Sequence, residues 1–191
     1  MAVIIAGGKS SRMQEDKALL PFGAYLSLAE FQYRRLDKLF SKVYISSKEN
    51  KFDFEADIIK DVYAVSSPLV ALVSIFDTLE GLEEIFVLSV DAPFVDEQVI
   101  KKLYEVREAT LEINFDVIVA ESKYGLEPLC AIYCKSFLEK AKNALKKNEH
   151  RLMTLLNALK IKKVFIEEET KFMNLNYPKE YEAAKLIMSK K

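Results

Sequence analysis

The chain has 191 residues, half of them apolar, enough to bury a substantial core, and it is expected to form one domain over 1–191. Its 28 basic and 29 acidic side chains nearly cancel, so no overall field favours nucleic acid or an anionic membrane; any affinity for phosphate must be local, which points to a small-molecule ligand. No apolar run approaches the roughly 20 residues needed to cross a bilayer, and Met1 leads directly into a strand-like run instead of a basic, then hydrophobic, leader; the expected location is the cytoplasm.

In chain order, short apolar runs predict strands at 2–6, 42–46, 56–59, 84–90, 115–120, 128–133 and 162–166. Between them, helix-period stretches predict helices at 27–40, 68–79, 96–108, 135–147, 152–159 and 178–189, several with a polar or proline start. Strands alternating with helices imply an α/β fold: a three-layer α/β/α sandwich around a mainly parallel, Rossmann-like sheet. In such sheets ligands collect beyond the carboxyl ends of strands, so residues directly after apolar runs are the candidates for function.

The first such point follows the strand at 2–6, where Gly7 and Gly8 precede Lys9, Arg12 and Lys17. Glycines let backbone N–H groups approach an anion closely, and three cations can offset much of a triphosphate's charge. Neither G-x-x-x-x-G-K-[ST] nor G-x-G-x-x-G occurs in the chain, which removes the usual support for a kinase-like or dinucleotide-binding reading. A second point is Asp91, delivered to the sheet edge by the run 85–90 and followed closely by Pro93, which cannot continue a ladder. A lone hard oxygen ligand there suits Mg²⁺, which keeps several waters and is commonly held by one or two carboxylates plus substrate phosphates. Asp61 follows an apolar run in the same way, ahead of an apolar helix beginning at Pro68. Near the end, alternation in an extended Met173-Asn174-Leu175-Asn176 puts Asn174 and Asn176 on one face, where two amides can hold a ligand oxygen or else cap the following helix.

Other candidates carry less. Cys130 and Cys134 lie in an apolar strand with no second pair to complete a zinc site, and are expected in the core. His150 is the single histidine, set among charged neighbours, and is expected at the surface.

The stretch A-G-G-x-S-x-R-M-x-x-D-K-A-L-L-P-F over 6–22 closely resembles the signature of nucleotidyltransferases and, among them, of molybdenum cofactor guanylyltransferases of the MobA type. The resemblance recurs in five places from Ile5 to Pro178. Ser89-Val90-Asp91-Ala92-Pro93-Phe94 is similar to P-C-D-M-P-F; Asp61 with Ser67-Pro68-Leu69 is similar to Asp, a loop and G-P-L-x-G. Phe172-Met173-Asn174-Leu175-Asn176-Tyr177-Pro178 is similar to F-x-N-V-N-T-P, and the stretch from Gly125 to Tyr133 contains a match to x-P-L-x-A-L-Y, a strand beside the pterin's site in the family. Ser67 stands where the family has Gly, Leu72 where it has a second small residue, and Tyr177 replaces Thr.

The resemblance implies transfer of GMP from GTP to the terminal phosphate of molybdopterin, with Mg²⁺ as cofactor, giving the guanine dinucleotide form and pyrophosphate. It implies catalytic roles for Arg12, Lys17 and Asp91 and a nucleotide site of Ile5, Ala6, Gly7, Gly8, Lys17, Asp61 and Asp91. It further implies Asp91 as metal ligand and Asn174 and Asn176 on the substrate. Partners would be GTP, molybdopterin and the molybdoenzymes or chaperones that receive the product, with neither nucleic acid nor membrane. The alternatives are a related transferase using CTP or a sugar phosphate, and a non-catalytic nucleotide-binding relative.

Overall fold

The computed structural model describes residues 1–7, 13, 15–61, 65, 67–110 and 112–189. Seven strands form one sheet: β1 (Ala2–Ile5), β2 (Val43–Ser47), β3 (Asp57–Lys60), β4 (Glu84–Ser89), β5 (Val117–Ser122), β6 (Gly125–Cys134) and β7 (Ile161–Phe165). Their order is β3-β2-β1-β4-β6-β5-β7, and every pairing is parallel except the two made by β6. The chain therefore steps outward from β1 to β2 and β3 on one side and returns to place β4 on the other. This reversal opens a crevice at the carboxyl ends of β1 and β4.

Alternation along β1 shows why the sheet is covered on both faces. Ala2 and Ile4 join the core beneath α1 (Leu28–Leu36), α3 (Glu97–Ala109) and α6 (Pro178–Met188). Val3 and Ile5 join the core beneath α2 (Pro68–Thr78), α4 (Ser136–Lys146) and α5 (Leu152–Leu156). A strand apolar at every position must be buried on both sides, and β1 is. The sandwich expected from the sequence is thus the observed architecture.

Three helices begin as their sequences dictate. Ser27 Oγ accepts from Glu30 N at 3.1 Å, Ser67 Oγ from Val70 N at 3.2 Å and Asp96 Oδ1 from Val99 N at 3.3 Å, each cap contributing about 1 kcal/mol. The predicted helix at 152–159 stops at Leu156. The strand predicted at 128–133 is longer, Gly125–Cys134, because its first half pairs with β5 alone, past the end of β4 and across an irregularity between Val119 and Ala120. Short 3-10 turns at Lys17–Leu19 and Glu169–Phe172 add to the elements that periodicity predicts. Cys130 is buried as expected, its thiol pushed far up by desolvation, and no described helix is long and apolar enough to cross a membrane.

Candidate active site

The crevice is built from five segments. β1 and the two residues after it supply Ile5, Ala6 and Gly7 at the sheet's end, where Ile5 O accepts from Val90 N at 3.0 Å and Ala6 N donates to Ser46 O at 2.9 Å. Ile5 and Ala6 are buried, and Lys51 Nζ donates to Ala6 O at 3.4 Å. Gly7 lies over Asp61, since a Cβ built on it would stand 3.7 Å from Asp61 Oδ2, an ordinary contact. Asp61, just past β3, also accepts from Ser46 Oγ at 3.4 Å, and its carboxyl is held above the usual range, chiefly by burial.

Lys17 opens the 3-10 turn Lys17–Leu19. Asp16 caps that turn, its Oδ1 accepting from Ala18 N at 3.0 Å while Oδ2 pairs with Lys51. The turn aims Lys17 across the crevice, where Nζ lies 2.9 Å from Asp91 Oδ2 and 2.8 Å from Asn176 Oδ1. Asp91 and Asn176, 74 and 159 positions from Lys17 in sequence, thus meet it at one point. The ion pair is mostly shielded, the side chains of Lys17 and Asp91 being 15% and 18% exposed.

Asp91 sits in the turn after β4. Ser89 Oγ donates to its Oδ1 at 2.6 Å, and Leu175 N donates to its carbonyl at 2.9 Å. The second bond brings the segment containing Asn174 and Asn176 alongside. That segment is fixed from its other end by Glu180, whose Oε2 accepts from Asn176 N at 2.7 Å and Tyr177 N at 2.9 Å. Of the two asparagines only Asn176 is bonded to Lys17.

Lys17, Asp91, Asn176, Gly7 and Asp61 thus gather around the ends of β1, β3 and β4. Gly8, Lys9 and Arg12 lie outside the described residues. Among the participants that escape sequence reading are Ser46, Lys51 and Ser89. Ser46 and Ser89 each carry a signal, as polar residues closing apolar strand runs, and Lys51 carries none.

Among the described residues no group of three or more His, Cys, Asp or Glu could hold a metal ion. Asp91 by contrast is a single carboxylate with one hydrogen bond on each oxygen, so lone pairs remain on both. A lone hard donor fits an ion whose other ligands are waters and phosphates, and does not fit an all-protein metal cage.

Residues 2–164 match the family model described as the MobA-like NTP transferase domain. A molybdenum cofactor guanylyltransferase of Campylobacter jejuni is 40% identical over 185 residues, covering 96% of this chain and 94% of that protein. One from Helicobacter pylori is 35% identical, covering 97% and 92%. Among solved structures, molybdopterin-guanine dinucleotide biosynthesis protein A from Archaeoglobus fulgidus superposes with a TM-score of 0.85 over 100% of this chain and 99% of its own; at 21% identity it attests the shared fold. By these matches the chain belongs to the MobA-like NTP transferase family.

Proposed function

We propose that this protein is a nucleotidyltransferase that moves GMP from GTP to the terminal phosphate of molybdopterin. The observation carrying the reading is the convergence of Lys17, Asp91 and Asn176 at the crevice beside β1. The guanylyltransferase names of relatives 35–40% identical over nearly the whole chain support the choice of donor and acceptor.

The reaction joins an oxygen of the acceptor phosphate to the α-phosphorus of GTP and breaks the bond to the β-phosphate oxygen, so pyrophosphate leaves. A phosphate monoester is largely ionised at neutral pH; its attack needs no side-chain base, which agrees with a chain holding one histidine. What it needs is charge control, since one anion approaches another while charge grows on the leaving group. Lys17, Arg12 and the N–H groups of Gly7 and Gly8 are assigned to the β and γ oxygens, where cations and backbone donors offset the charge that develops. Ile5 and Ala6 wall the nucleotide site, and Asp61 accepts hydrogen bonds from the guanosine. Asn176 holds Lys17 in place and, with Asn174, contacts the acceptor. Asp91 would hold Mg²⁺, which supplies charge neutralisation and a fixed phosphate geometry when bound.

Such a protein works in the cytoplasm, and its product passes to molybdoenzymes or their chaperones. The test is pyrophosphate release with GTP and molybdopterin in Asp91→Ala and Lys17→Ala proteins. Loss of turnover in both with folding retained is expected; release at the parent rate in either refutes that residue's role.

A further inference from the structure

The helix α1 has an apolar stripe of Leu28, Ala29 and Leu36 facing the core, and one member of the same face is Gln32, which is fully buried. At one turn from both Leu28 and Leu36, leucine would be the default. A buried amide is costly unless its hydrogen bonds are met, so the position demands a polar partner. That partner is the turn that carries Asp91.

Past Ser89 the β4 ladder ends; within the turn Ala92 N donates to Ser89 O at 3.3 Å and Val95 N to Ala92 O at 3.4 Å, while the carbonyls of Val90, Asp91 and Pro93 take their donors from outside the turn. Gln32 Nε2 donates to Ala92 O at 3.0 Å and, at the longer distance of 3.4 Å, to Ser89 O and Val90 O. Arg35, one turn along α1, donates to Pro93 O at 2.7 Å through Nη1 and to Gln32 Oε1 through Nη2. Leu175 N takes the remaining carbonyl, that of Asp91 itself. The arrangement fixes the amide's orientation: turned over, Gln32 would set its oxygen against three carbonyls and its NH2 against a guanidinium. Arg35 stands against the ring of Phe31 and holds this position even though its Nε is buried with no hydrogen-bond partner among the described residues.

We infer that Gln32 and Arg35 are positioning residues for the reaction: from α1 they hold the backbone on both sides of Asp91 and so set where its carboxylate meets the metal–triphosphate. They touch neither nucleotide nor metal. The inference rests on the reading of Asp91 as metal ligand given above. Partners that orient a ligating side chain typically change metal affinity by about 10- to 100-fold when removed, whereas a purely structural pair changes stability alone.

The experiment compares parent, Gln32→Met, Arg35→Met, Arg35→Lys and, as reference, Asp91→Asn. Mn²⁺ binding is titrated by electron paramagnetic resonance with a non-hydrolysable GTP analogue, alongside the magnesium concentration for half-maximal pyrophosphate release and the melting temperature. Gln32→Met and Arg35→Met are expected to weaken Mn²⁺ binding and raise the magnesium requirement by roughly ten-fold, leaving KM for GTP within about two-fold. Arg35→Lys, which keeps a donor for Pro93 O, recovers part of the loss. A lower melting temperature with Mn²⁺ binding and magnesium requirement at parent values overturns the inference. Should Gln32→Met not fold, the two Arg35 variants decide the question through the same readouts. If Asp91→Asn abolishes metal binding while the α1 variants behave as parent, the inference falls alone; if Asp91→Asn itself binds Mn²⁺ and turns over normally, the reading of Asp91 falls and takes the inference with it.

Discussion

Replacing Lys17 by Met keeps the length of the side chain and removes its charge, leaving Asp91 with the hydroxyl of Ser89 as its remaining side-chain partner of the two. At 2.9 Å the pair's Coulomb energy is about 6 kcal/mol for an effective dielectric of about 20, before the desolvation of both ions is subtracted. Exposed pairs yield about 0–1 kcal/mol, and breaking fully buried ones costs about 3–5. With side chains 15% and 18% exposed, this pair lies toward the buried limit, and Lys17→Met is expected to cost about 2–3 kcal/mol. For a protein of this size that is a fall of roughly 5–10 °C in melting temperature. Asp91→Asn in the Lys17→Met background removes the stranded charge and should restore much of the loss. Urea unfolding of the parent, both single variants and the double variant closes the cycle, with a coupling of about 2 kcal/mol expected. Additive effects of the two substitutions would show that the ion pair does not form in solution, and the crevice geometry argued from it would fail.

Two further outcomes concern titration. Asp61 has its pKa raised, chiefly by burial, so its folded value exceeds its unfolded one; the stability it allows is complete below the unfolded pKa and is lost as pH rises through the folded pKa. Asp61→Asn should therefore be more stable than the parent at neutral pH, with the gap vanishing in acid, and thermal melts from about pH 3 to 8 would show a constant gap if this is wrong. Asp116 is the reverse case. Burial pushes its carboxyl up, but Lys140 at 2.6 Å and the N–H of Lys160 at 2.8 Å outweigh this and the net shift is downward. Its contribution is present above the ordinary aspartate pKa of 3.8 and is lost as pH falls through the folded pKa. Asp116→Asn should cost about 1–3 kcal/mol at neutral pH and little in strong acid, measured by urea unfolding; stability equal to the parent's at neutral pH would refute it.

Sequence patterning reveals the sheet and its helices because β1 and β4 are apolar at nearly every position and each is bounded by turn chemistry. It also marks Asp91, a carboxylate directly after an apolar run with Pro93 two residues on, the pattern of a strand's end. What it cannot reveal is β6 running antiparallel between β4 and β5, because alternation carries no direction. Nor can it find Lys51, whose bonds to Ala6 and Asp16 depend on a loop's path, or the partner of Asn176 across 159 residues. Gln32 is legible in principle: an amide in the core stripe of α1 is a local conflict that only a tertiary partner resolves. Alternation makes Asn174 and Asn176 equivalent, yet only the second reaches Lys17, because Leu175 is pinned to Asp91 and the chain bends into α6 just beyond.

The most direct measurement of the central claim is pyrophosphate release by the purified protein with magnesium and molybdopterin, supplied in turn with each of the four nucleoside triphosphates. The account expects release with GTP well above that with ATP, CTP or UTP, dependent on molybdopterin and absent in Asp91→Ala. Release that is indifferent to the base, or undiminished in Asp91→Ala, would contradict it.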